Sequence, residues 1–227
     1  MSTPAEPDTF FDAHQRATVE AAMARIIPTD HQPGAREAGT IDFLDRYLSG
    51  TGFIYALPDG SGFERLEGRR EHAWRSRVEQ ARKKYVAGIA ELDRRARELV
   101  GSDFVDLEAD RQDEVLRALE ANAQDAPAVG GPRGNQQIAY GGPVEPALQQ
   151  TNAESDLDFF PLLVTHTRQG FYADPIYGGN RDQVGWQVIG FPGPASLAEV
   201  HSGRYSTLDY FAPPPRRHPG QEDDHDA

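Results

Sequence analysis

The sequence predicts a mainly α protein: about five helices in an irregular bundle, with a long Gly/Pro-rich insertion and an irregular aromatic and Gly-rich C-terminal segment. Three observations carry this. Apolar residues recur at spacings of three and four in five stretches. Helix start and stop residues flank those stretches. Where the period is lost, over 123–154 and after Gly170, the chain is dense in Gly and Pro.

The first helix is predicted from about Ala13 to Ile27. Asp12 caps it, with Gln15 at the capping-box position. Val19, Ala22, Met23, Ile26 and Ile27 share one face, and Pro28 ends it. Thr29 to Gly34 reads as a turn. A second helix, about Arg36 to Leu48, brings Ile41, Leu44, Tyr47 and Leu48 together. Residues 53–63 alternate weakly around Pro58-Asp59-Gly60, as a short hairpin would.

The longest helical signal runs from Arg70 to Val100. Trp74, Val78, Ala81, Tyr85, Leu92, Ala96 and Leu99 form its stripe, and Gly101 stops it. Arg82-Lys83-Lys84 is interleaved with acids and reads as a solvated face rather than a nucleic-acid patch. A fourth helix is expected over Asp103–Asn122, with Val115, Leu116 and Leu119 inward. A fifth is expected over Asp156–Gln169, started by a Ser155–Asp158 capping pair. Residues 1–8 are expected to be disordered. One helical domain then spans 9–212, with 123–154 as an extended arm or insertion, and 213–227 is a flexible charged tail.

Composition narrows the function classes. The chain has 227 residues and a formal charge of −13. That sign disfavours nucleic acid and anionic lipid as partners. The absence of cysteine excludes disulfides, Fe–S clusters, thiolate zinc sites, a cysteine nucleophile and C-x-x-C-H haem attachment. No apolar run reaches the ~18 residues of a membrane span, so no membrane insertion is expected. The start, MSTPAEPDTFF, lacks a twin arginine and an apolar core. The expected location is cytoplasmic, or periplasmic if a signal has been removed. Leu, Ile, Val and Phe make up 46 of 227 residues, a thin core for so charged a chain. Part of the chain is therefore loose, or part of its apolar surface is buried against another protein.

No residue pattern marks a catalytic centre. His166 follows the Leu162–Val164 run and reads first as a buried structural histidine. The scattered histidines have no ligand spacing on one helix. Asp174, Asn180 and Asp182 offer oxygen atoms to a Ca²⁺ but do not match an EF-hand. No dinucleotide fingerprint, phosphate loop or nucleophile elbow is present. The residues alone assign no catalytic, cofactor or metal site. The best acid–base or metal set that can be assembled is His166 with Asp174 and Asp182. It would serve an independent enzyme acting on an oxidised sugar. A free-standing binding module is the remaining alternative.

The stretch Gly170 to Gly193 is the most informative. It places Phe171, Tyr172, Tyr177, Trp186 and Phe191 on an irregular, glycine-studded backbone beside Arg181 and Asp182. Aromatic and Arg anchors on a preformed loop make interface hot spots. A loop folded back over the helices to complete a poor core would look the same.

This segment resembles a signature of the gluconate 2-dehydrogenase subunit 3 family. Arg25-Ile-Ile-Pro-Thr-Asp30, Pro33-Gly-Ala-Arg-Glu-Ala-Gly39 and Ile41-Asp-Phe-Leu44 resemble the family's other hallmark, and Asp110–Leu116 fits as well. The resemblance spans about residues 10–194. It implies a mostly helical, non-catalytic accessory subunit with no cofactor of its own. Its partner would be a larger FAD-containing glucose-methanol-choline oxidoreductase that oxidises a sugar or glycoside hydroxyl. A separate electron acceptor would serve the complex. On this reading Tyr177, Gly178, Gly179, Asn180, Arg181 and Trp186 lie at or beside the partner interface. Tyr172, Asp174 and Pro175 hold the loop's shape. Pro28, Thr29 and Asp30 form the turn that locks the first helix onto the second.

Overall fold

A computed structural model describes residues 9–50, 52, 54–125, 154, 157–194 and 197–205. Residues 1–8, 126–153 and 206–227 lie outside these. The expected disordered start and charged tail, and nearly all of the expected 123–154 arm, therefore fall outside the described residues.

The helices are α1 (Ala13–Ile26), α2 (Thr40–Ser49), α3 (Gly68–Val100), α4 (Ala109–Asp125), α5 (Phe159–Tyr172), α6 (Val184–Val188) and α7 (Leu197–His201). The described residues contain no strand, and the expected hairpin is a tight loop closed by one Ala56–Phe63 bridge. The fold is mainly α, as the sequence indicates. α5 packs against all four of α1 to α4 and is the central helix.

Local chemistry explains the ends. Asp12 accepts the Gln15 N–H at 2.8 Å, and the Gln15 side chain returns the bond to the Asp12 N–H at 3.2 Å. This capping box supplies partners to two amides that the first turn leaves open. Pro28 cannot continue α1, and Gly101 ends α3 in the left-handed region.

Three boundaries differ from the sequence expectation. α2 starts at Thr40, not Arg36, because residues 34–39 form a turn tied to the end of α1. Ala35 N–H donates to Ile27 O at 2.9 Å, and Thr40 N–H donates to Ala35 O at 3.1 Å. The expected fourth helix is split into a 3-10 turn, Phe104–Asp106, and α4. Asp93 accepts the Phe104 N–H at 3.1 Å, and Gln112 Nε2 donates to the Phe104 carbonyl at 3.1 Å, so this backbone is engaged elsewhere. α5 begins at Phe159 and runs on past Gly170 to Tyr172. Pro161 fits its first turn, where no helical partner awaits the missing N–H.

The core is one cluster. Val19 and Met23 of α1, Leu44 and Leu48 of α2, Tyr85 and Leu92 of α3, Phe104, and Leu162 and Leu163 of α5 are almost completely buried. Burying one such aliphatic side chain contributes about 1.5–3 kcal/mol. Two buried acids tie the cluster to the chain around it. Asp45 accepts the Phe10 and Phe11 amides at 2.9 and 3.1 Å. Asp93 holds Phe104 N–H and sits 2.7 Å from His14 Nε2, and that bond raises the His14 pKa. Arg25 grips Asp113 through two bonds, 2.7 and 3.0 Å, clamping α1 to α4.

Candidate functional site

The candidate site is a groove and the loop that forms one of its walls. The loop starts where α5 ends. Asp174 caps a 3-10 turn by accepting the Ile176 N–H at 2.9 Å, with Pro175 at the turn's first position. Gly178 closes that turn. The chain then passes directly over the last turns of α5. A Cβ on Gly179 would collide with the Gly170 carbonyl, and one on Gly185 would collide with the Phe171 carbonyl. Only glycine permits this approach.

Asn180 is the hinge of the loop. It is fully buried and lies in the left-handed region, at φ 47°. Its N–H donates to Gly170 O at 2.8 Å. Its side-chain amide donates to Ala173 O at 2.9 Å and accepts from Gly185 N–H at 2.8 Å. Asp182 and Gln183 are also left-handed, at φ 55° and 60°. Three non-glycine residues in this region within four positions is a concentration of backbone strain, which persists only where surrounding contacts enforce it. Those contacts are visible. Arg181 N–H donates to Ala38 O at 2.9 Å, and its guanidinium meets Asp42 at 2.7 Å. Trp186 is 7% exposed and donates its indole N–H to Tyr172 O at 2.8 Å. Phe191 packs edge-on against it.

The groove has a volume of about 860 Å³ and lies between α2, α3, α5 and this loop. Its walls are aromatic: Phe43 and Tyr47 from α2, Trp74 from α3, Tyr172 from α5 and Tyr177 from the loop. Tyr177 is steadied by an edge contact with Phe63 and accepts the Ala56 N–H at 3.4 Å. Arg77 stacks over Trp74, 4.7 Å from the ring centre. The polar part of the lining centres on Glu154, which accepts Gln169 Nε2 at 2.8 Å and the Tyr47 hydroxyl at 3.4 Å. Burial, together with the nearby Glu154 charge, pushes the Tyr47 phenol well above its ordinary value. Below the groove, His166 is fully buried, with Nδ1 2.9 Å from the Tyr85 hydroxyl. Burial holds its pKa down to about 4. It is the buried, hydrogen-bonded histidine that the sequence indicates.

The site residues expected from sequence therefore divide. Tyr177 and Arg181 reach the surface, Tyr177 inside the groove and Arg181 outside it on Asp42. Gly178 lies against Arg46 at the groove's edge, while Gly179, Asn180 and Trp186 hold the loop from within. Asp174 and Pro175 shape the turn. Tyr172 both lines the groove and receives the Trp186 bond. Of the other expected turn, Thr29 donates to Glu37 at 2.7 Å, and Asp30 accepts the Gln32 N–H at 2.8 Å. Ile27, just before Pro28, receives the Ala35 amide.

The alternative set does not assemble. Asp174 is engaged by its own turn, and both ends of the Asn180 amide are occupied by backbone. Among the described residues, no three His, Asp or Glu side chains lie together as a metal site would need. His166, Asp174 and Asp182 thus form no metal cluster among the described residues, and the Asn180 amide is already engaged by backbone.

Sequence reading missed the groove itself. Tyr47 and Trp74 stand on apolar helix stripes and read as core. The available signal was at the start of α3, where Trp74 precedes Val78, the first buried position of that helix.

The family model described as gluconate 2-dehydrogenase subunit 3 matches residues 13–193, most of the chain. The chain belongs to this family. No curated protein and no solved structure matches it. The gluconate 2-dehydrogenase subunit 3 match takes in α1 through α6 and ends at Gly193, so the groove-forming loop lies inside the family unit. Among the described residues no helix is long and apolar enough to cross a membrane.

Proposed function

We propose that the chain is a non-catalytic small subunit that binds and stabilises a larger FAD-dependent dehydrogenase or oxidase of the glucose-methanol-choline type. The larger subunit oxidises a sugar hydroxyl, and a separate acceptor takes the electrons. The family match over residues 13–193 carries this reading, because the family is one of dehydrogenase subunits. The loop adds physical support. A strained, glycine-dependent backbone that presents Tyr177 and Arg181 is the kind of rigid platform on which interface hot spots stand.

The test is to produce the chain alone and together with a glucose-methanol-choline flavoprotein from the same source. Size-exclusion chromatography is followed by flavin absorbance. The expected result is co-elution with flavin, with soluble active flavoprotein only when both chains are made. Separate elution, with the flavoprotein active alone, would overturn the reading.

A further inference from the structure

We propose that His14, Asp93 and the Phe104 amide form a pH-sensitive clamp that joins α1 to the connection between α3 and α4. The clamp is closed while His14 carries its proton and loosens when that proton is lost. The inference does not depend on the subunit reading above.

Three observations carry it. First, the contacts form one line across four elements. His14 Nε2 on α1 lies 2.7 Å from Asp93 Oδ2 on α3. The other oxygen of Asp93 accepts the Phe104 N–H of the 3-10 turn at 3.1 Å, and the Phe104 carbonyl accepts Gln112 Nε2 of α4 at 3.1 Å. Second, the line runs from solvent to interior. The His14 side chain is 43% exposed and that of Asp93 7%, while Phe104 is fully buried. Water can deliver or remove the His14 proton, and the acid that answers it stays inside the protein. Third, that acid needs the charge. A buried carboxylate is costly unless it is paired and hydrogen-bonded. Protonated His14 gives Asp93 a charged partner, whereas neutral His14 leaves its hydrogen bonds to uncharged groups alone.

The groups facing His14 act in the same sense. Asp93 on α3, Asp103 in the connection and Asp12 at the cap of α1 are all acids, and Asp103 is itself paired with Arg97. The Asp93 hydrogen bond raises the His14 pKa above 6.5, against the opposing effect of burial. The clamp therefore contributes fully below pH 6.5 and is lost as pH rises through the raised folded value. The buried His166, whose pKa is lowered, changes its contribution chiefly below 6.5, so the two histidines act in separate windows.

The experiment uses the full chain. NMR follows the His14 ring protons from about pH 5 to about pH 9, and hydrogen exchange, corrected for its intrinsic pH dependence, follows the Phe104 amide over the same range. His14 is expected to titrate above 6.5. Protection of Phe104 is expected to fall along the same curve, about tenfold for each unit by which the His14 pKa exceeds the ordinary value. His14→Gln keeps a side-chain donor and carries no charge. Its site is outside the core cluster, so circular dichroism should show it folded, and the pH dependence at Phe104 should flatten. His31→Gln, at an exposed position, is the control and is expected to change nothing.

A His14 that titrates at or below 6.5 overturns the proposal. So does a Phe104 amide whose protection ignores the His14 titration, or a pH dependence that survives in His14→Gln. Should that variant not fold, the coincidence or separation of the two wild-type curves still decides.

Discussion

The helical bundle and the 173–194 loop are held by different means. In the bundle, apolar side chains from five helices share one interior, and sequence periodicity alone places most of them. In the loop there is little apolar interior beyond Trp186 and Phe191. It is held by backbone groups meeting backbone groups, by the Asn180 amide and by close glycine approaches. The bundle tolerates exchange among residues of similar size, while the loop depends on particular residues at particular positions. A thin core can thus support an accurate surface, provided the accuracy comes from hydrogen bonds rather than bulk.

The sharpest way to break this contrast is in the bundle. Leu163→Ala empties a fully buried site at the centre of α5. A loss of about 2–5 kcal/mol in urea unfolding is expected. A loss well below 1 kcal/mol would show that the bundle does not depend on its interior.

The next effect is one of pH. Burial holds the folded His166 near a pKa of 4, against an ordinary 6.5. The folded state resists the proton that the unfolded state takes up. The stabilisation is therefore complete above pH 6.5 and is lost as pH falls toward 4, by about 3 kcal/mol. His14 acts in the opposite sense. Its bond to Asp93 raises its pKa, so its smaller contribution is complete below pH 6.5 and disappears as pH rises through the raised value. Urea unfolding between pH 4 and 7 should show the His166 slope, and His166→Phe should flatten it.

The loop substitutions come next. Asn180→Ala deprives the Ala173 carbonyl and the Gly185 amide of their partners, for an expected cost of about 1–3 kcal/mol. Its larger effect should be on partner binding, because the loop that presents Tyr177 and Arg181 moves with it. Gly185→Ala should show the same pattern, with near-UV circular dichroism of Trp186 reporting the displaced loop. If either change lowers global stability as much as Leu163→Ala, the loop belongs to the core and the contrast fails.

The smallest stability effect is expected for Arg181→Ala. Its pair with Asp42 is more than half exposed on the Arg side and is worth at most about 1 kcal/mol. A change in partner affinity exceeding its change in stability would place Arg181 near the contact.

The sequence was most legible where a signal was local. The Asp12–Gln15 capping box, the stop at Pro28 and the Gly101 terminator were all readable within a few residues. The α4 boundary was not, because Asp93 diverts the Phe104 amide from eleven positions away. The groove was illegible for the same reason on a larger scale. Its walls come from positions 43, 47, 74, 172 and 177, and Tyr47 and Trp74 stand on apolar stripes that read as core. The Gly170–Gly193 segment could be singled out, but its division of labour could not. Nothing in the string distinguishes Asn180, which joins the loop internally, from Arg181, which faces outward.

Asp42 ties the two regions to one fixture. This one carboxylate on α2 meets Arg16 of α1 and Arg181 of the loop, while the Arg181 amide rests on Ala38. The outward edge of the loop is thus registered against the N-terminal part of the bundle by a side chain that the helices also share.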